Sequence, residues 1–104
     1  MGYRSDVALR INENIMEVVD IYRKLDKEVD DMFNDTGWSN HCSYSWDHVK
    51  WYNGDAGVDA IDALMAKISE DDYGFIRIGE ETDDIEYRGM PCEYDMYVNR
   101  SIEW

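Results

Sequence analysis

Tyr73-Gly74-Phe75-Ile76-Arg77-Ile78-Gly79 is the stretch on which the fold turns. It is short, apolar and rich in β-formers, and both its ends are marked by acid: Glu70, Asp71 and Asp72 precede it, and Glu80-Glu81-Thr82-Asp83-Asp84-Ile85-Glu86 follows. Side chains alternate along an extended chain, so Ile76 and Ile78 share one side and Phe75 and Arg77 the other. The pattern predicts a strand near the middle of a sheet, feeding an acidic loop that has room for a short helical turn.

Upstream, residues 3–11 alternate in the same way, with Val7, Leu9 and Ile11 on one face and Asp6, Ala8 and Arg10 on the other. Asn12 is suited to cap a helix. Ile15, Val18, Val19, Tyr22, Leu25, Val29, Met32 and Phe33 then recur in steps of three and four, predicting one long helix that ends near Asn34–Gly37. Residues 38–43 read as irregular. Residues 44–52 read as a strand, with Val49 and Trp51 on one side and Trp46, His48, Lys50 and Tyr52 on the other. Asn53-Gly54 signals a turn, Asp55 an N-cap, and Val58, Ile61, Leu64, Met65 and Ile68 a second helical stripe. Gly89 and Pro91 break the chain before a last strand over 95–104, expected to form a hairpin with the strand at 73–79.

The order is therefore β-α-β-α-β-β. A helix with one apolar stripe needs a sheet to bury it, which predicts an α+β two-layer sandwich: about four strands, two helices on one face, in the ferredoxin-like class. A length of 104 residues makes this one domain, 1–104, large enough to fold without staples. A hydrophobic fraction of 44% supports a packed core.

Charge is the outlier. Asp plus Glu number 24 against 10 Lys plus Arg, a net charge of −14. Such a chain repels nucleic acid and anionic membranes and attracts basic partners. Two cysteines make no disulfide framework, no run is long enough to span a bilayer, and the opening residues lack an apolar segment, so a cytoplasmic protein with reduced thiols is expected.

Motifs for chemistry are sparse. His41, Cys42, His48 and Cys92 lack the paired spacing of structural zinc ligands. Asp83-Asp84-Ile85-Glu86 lacks the calcium-loop pattern. There is no nucleophile elbow and no phosphate-binding glycine loop, and neither a metal nor a cofactor nor an enzymatic activity is expected. Two surfaces stand out instead. The first is acidic: Glu17, Asp20, Glu28, Asp31 and Asp35 on the long helix, with Asp59 and Asp62 on the next. Glu80, Glu81, Asp83, Asp84 and Glu86 in the loop join them. Carboxylates at helical spacing can imitate the charge of a phosphate backbone and fill a basic groove made for nucleic acid. The second is the sheet face away from the helices, expected to show Arg10, Trp46, His48, Lys50, Phe75, Arg77 and Tyr97. That mixture of rings and cations suits a homodimer interface, or base stacking in a nucleotide-binding sponge.

Taken together, Met1-Gly2-Tyr3-Arg4-Ser5-Asp6-Val7, Trp51-Tyr52, Tyr73-Gly74-Phe75-Ile76-Arg77-Ile78-Gly79 and Asn99-Arg100-Ser101-Ile102 resemble small acidic proteins encoded by bacteriophages and prophages. The resemblance spans most of the chain and brings no motif of known chemistry. It implies a genomic setting that includes anti-CRISPR proteins and DNA mimics. The expectation is thus a non-enzymatic inhibitor in the host cytoplasm, bound to a basic host protein or nucleoprotein complex such as a CRISPR-Cas effector or another defence nuclease. A phage structural or regulatory homodimer and a nucleotide sponge are the alternatives.

Overall fold

The computed structural model describes residues 3–40, 42–52, 54–81, 83–98 and 102–103, the last by its backbone. Its centre is β1, Ser5–Ile11, which pairs antiparallel with β3, Ser43–Val49, on one side and β4, Tyr73–Ile78, on the other. The edge strands are β2, Trp38–Asn40, beside β3, and β5, Ile85–Gly89, beside β4. The five-stranded antiparallel sheet has the order β2-β3-β1-β4-β5. Helices α1, Met16–Leu25, and α2, Lys27–Asn34, connect β1 to β2; α3, Ala56–Ala66, connects β3 to β4. Each helical connection skips one strand: the first skips β3, which the β2–β3 hairpin then supplies, and the second skips β1, already in place. The result is the α+β two-layer arrangement expected, with five strands and three helices in place of about four and two.

All three helices pack on one face. Val7, Leu9 and Ile11 of β1, Tyr44 and Trp46 of β3, and Tyr73 and Phe75 of β4 meet Val19, Val29, Phe33, Ile61, Leu64 and Met65 in the main core. Asp55 caps α3 as expected, its carboxylate accepting from the amides of Gly57 and Val58. A smaller core on the opposite face contains Ala8, Ile76 and Met96, with Ile78, Tyr94 and Ile102 against it. Its cover is a 3₁₀ turn, Pro91–Tyr94, and a separate hairpin of β6, Tyr97–Val98, and β7, Ile102–Glu103. Gly74 lets that turn close on the sheet, since a Cβ there would lie 2.8 Å from Pro91 Cα. Among the described residues, no helix is long and apolar enough to cross a membrane.

Several expectations are corrected. The single long helix is two. Asp26 sits between them in an extended conformation, φ −131° and ψ 108°, and its side chain caps α2 by accepting from the Glu28 amide at 3.0 Å. A capping carboxylate competes with the helix interior, and here the cap wins. The break rotates the apolar stripe: Val19, Val29 and Phe33 are buried, but Leu25 is 78% exposed and Val18 45%. Trp38–Asn40 is an edge strand rather than irregular chain. The acidic stretch ends in β5, which takes the place beside β4 that the C-terminal strand was expected to fill. Of the final stretch 95–104, Tyr97–Val98 and Ile102–Glu103 pair with each other; Asn99, Arg100, Ser101 and Trp104 lie outside the described residues.

The face assignments of two strands are also reversed. Phe75 is fully buried beneath the helices, and Ile76 faces the smaller core. Trp46, 3% exposed, points to the helices and donates its indole N–H to the Met32 carbonyl at 3.0 Å. A β-bulge explains how Trp46 and Val49, of opposite parity, both reach the main core. Ser5 pairs with Val49 but Val7 with Trp46, leaving an extra residue in β3, and His48 takes the left-handed conformation at φ 54°. The aromatic rings of Phe33, Tyr44, Trp46, Trp51 and Phe75 then run across the core with centroids 4.5–6.5 Å apart.

A candidate acidic interaction surface

The acidic loop is held by its own residues before it can present anything. Arg77, at the end of β4, forks onto Asp84 at 2.8 and 3.2 Å, onto Glu86 at 3.0 Å through Nε, and onto the Ser5 hydroxyl at 3.1 Å. Tyr3 donates its hydroxyl proton to Asp84 Oδ2 at 2.6 Å and accepts from the Glu81 amide at 3.0 Å. The Gly79 amide donates to the Asp84 carbonyl at 2.8 Å. A side chain at Gly79 would collide with the Asp84 carboxylate and the Tyr3 hydroxyl, so glycine is required by the closeness of the three.

These contacts fix the electrostatics. The Arg77 guanidinium, and after it the Tyr3 hydroxyl, hold the Asp84 carboxyl below the usual range. In return, Asp84 and Glu86 raise the Arg77 guanidinium further, against the opposing effect of burial, and the Asp84 hydrogen bond raises the Tyr3 phenol. Nearby, Asp62 of α3 meets Arg88 of β5 at 2.6 Å. Burial still pushes the Asp62 carboxyl up, outweighing Arg88. Tyr3, Trp51, Tyr52, Asp62, Arg77, Asp84 and Glu86 line a cleft of about 240 Å³. Its carboxylates are engaged by Arg77, Arg88 and Tyr3, an arrangement that clamps the β4–β5 loop.

The acidic candidates therefore divide. Asp84 and Glu86 are paired internally, and Asp31 is paired with Lys27 at 3.0 Å on α2. Glu80, Glu81 and Asp83 stand exposed at the loop, and Glu17, Asp20, Glu28 and Asp35 stand exposed along α1, α2 and the residue after it. The two groups approach from opposite ends of β1: the loop leaves β4 beside Asp6, whereas the chain enters α1 after Ile11. Because α1 and α2 are separate, the helix carboxylates do not form one regularly spaced row. Asp59 is exposed on α3, where its carboxylate accepts from the Gly54 amide at 3.0 Å.

The expected sheet-face site is not formed. Trp46 and Phe75 are in the helix-side core, and Arg77 belongs to the loop clamp. Arg10 does lie on the opposite face, where it donates to Ser43 Oγ at 2.9 Å and to the Tyr94 carbonyl at 2.6 Å under the 3₁₀ turn. His48 is exposed at the bulge, its amide donating to Asp6 at 2.7 Å; Lys50 is exposed beyond β3 and Tyr97 on β6. Of the seven residues assigned to one surface, Trp46 and Phe75 thus lie in the helix-side core, Arg77 in the loop clamp and Arg10 under the C-terminal cover, while His48, Lys50 and Tyr97 are exposed at separate places.

Cys42 is half-buried and Cys92 exposed, both as free thiols. His41 lies outside the described residues, and among the described residues no group of three or more His, Cys, Asp or Glu side chains is placed to hold a metal ion. Sequence reasoning missed Tyr3 and Arg88 as organisers of the acidic region. The spacing between partners, 81 residues for Tyr3–Asp84 and 26 for Arg88–Asp62, left no local signal. No protein-family model, curated protein or solved structure matches the chain.

Proposed function

We propose that this chain is a non-enzymatic inhibitor that occupies a basic, nucleic-acid-binding surface of a target protein, in part by imitating nucleic-acid charge. One observation carries the reading. Arg23, Arg77 and Arg88 are folded against the protein's own carboxylates and Lys27 against Asp31, while Glu17, Asp20, Glu28, Asp35, Glu80, Glu81 and Asp83 face solvent. The net charge of −14 is displayed outward and its cations are partly spent inward. Such a surface steers a basic groove toward it and repels nucleic acid. The resemblance to phage proteins supports a host defence complex, a CRISPR-Cas effector or another nuclease, as the class of target.

The test is competition. The protein is added to purified defence nucleases holding labelled duplex DNA, and displacement is followed as salt is raised. Displacement that fades steeply with salt is expected. The variant Glu80→Gln, Glu81→Gln, Asp83→Asn should slow association roughly tenfold. Asp84 is left intact, because its loss would release Arg77. Salt-insensitive binding, or no displacement from any basic target, sinks the proposal.

A further inference from the structure

Helix α1 carries an apolar line that the fold does not use. Val18, Ile21 and Leu25 are 45, 54 and 78% exposed, and their spacing of three and four places them on one strip of the helix. Val19 is the buried residue of α1, with Met16 and Tyr22 partly buried beside it. The helix therefore has two apolar faces, and the more aliphatic one meets water. Single exposed aliphatics are ordinary, but three aligned over about 10 Å make a patch of the kind that marks a binding site.

The surroundings define the partner. Glu17 and Asp20 flank the strip along α1, with Lys24 the cation on that side, and Asp26 and Glu28 follow it at the head of α2. On its other side Tyr22 leads into a small groove floored by Ala60 and Ala63 of α3, where Lys67 lies over the Tyr22 ring at 5.1 Å. An apolar centre with a carboxylate rim complements a helix of opposite design. We infer that the Val18–Ile21–Leu25 strip docks a cationic amphipathic helix of a partner protein, whose apolar face covers the strip and whose Lys and Arg meet Glu17, Asp20 and Glu28. A second copy of this chain fits poorly, because each chain brings a net charge of −14 to the contact. An anionic lipid surface is repelled by the same rim. The inference rests on the acidic-surface reading for its charge and adds an apolar anchor that charge imitation alone does not need.

Two labelled synthetic peptides separate the terms: a leucine–lysine amphipathic helix, and a lysine–serine peptide of equal charge. By fluorescence anisotropy, the protein should bind the first at least roughly tenfold more tightly. The variant Ile21→Gln, Leu25→Gln should reduce that ratio to near one while leaving lysine–serine binding and Tm unchanged. Equal affinity for both peptides, or a ratio that survives the variant, overturns the inference and leaves the acidic reading standing. Absence of binding to either peptide at low salt overturns both. Strip-dependent self-association in sedimentation velocity, or strip-dependent binding to phosphatidylglycerol vesicles, assigns the strip to another occupant and also overturns it.

Discussion

The Tyr3 hydroxyl reaches the Asp84 carboxylate at 2.6 Å, so the start of the described chain fastens a loop 81 residues away. Arg77 approaches the same carboxylate from β4. The acidic loop is consequently a structured display, pinned at its base and exposed at Glu80, Glu81 and Asp83.

Tyr3→Phe should loosen that display without unfolding the protein. The Glu81 amide loses its acceptor and should exchange with solvent faster, as should Gly79, while the core amides of β1 and β4 keep their protection. Hydrogen exchange followed residue by residue checks this. Unchanged exchange at Glu81 would show that the tyrosine does not hold the loop.

Acid should undo the clamp with a defined sign. Because the folded Asp84 carboxyl is depressed, by Arg77 first and Tyr3 second, its ionised form contributes stability above the unfolded value of about 3.9. That contribution fades as pH falls through the lower, folded value. Urea midpoints of the parent and of Asp84→Asn should differ at pH 7 and converge in strong acid. Taking the difference cancels the general relief of repulsion among the other carboxylates.

Position along the helical stripe should decide the cost of truncation. Leu25→Ala should change stability by less than about 0.5 kcal/mol, since the side chain is largely in water. Ile61→Ala, in the main core and fully buried, should cost roughly 2–5 kcal/mol. Denaturant titration of both variants measures the contrast; a large loss at Leu25 would refute the break at Asp26.

Gly74→Ala tests the cover on the second face. Its Cβ would meet Pro91 Cα at 2.8 Å and Met96 Sδ at 3.1 Å, so the 3₁₀ turn must shift, at a cost of roughly 1–3 kcal/mol. Gly37→Ala, whose Cβ would meet neighbours only at 3.7 Å and beyond, is the control and should be neutral or slightly stabilising. Equal midpoints for the two variants would mean that the turn does not rest on the sheet.

Local pattern was enough for β1, α3 with its Asp55 cap, and β4: each has a clean period and marked ends, and each lies where expected. It also showed that Phe75 and Ile76 oppose each other, but not which side met the helices. Period two distinguishes two faces without naming either, and both faces of this sheet bury apolar residues. In β3 even the parity misleads, since the bulge at His48 brings Trp46 and Val49 to the same core. The stripe from Ile15 to Phe33 is continuous on paper and broken at Asp26, where a capping hydrogen bond outweighs helix continuation.

The amino-acid sequence by itself determined the α+β class, the central strands and the surplus of negative charge, because these depend on composition and short-range periodicity. Only the tertiary structure decided which charges remain available. Asp84 and Glu86 are paired with Arg77, Asp62 is held by Arg88, and Leu25 is left in water rather than in the core. Those outcomes depend on groups far apart in the chain meeting within a few ångströms, where Coulomb attraction and desolvation act on distance in space and not on distance in sequence.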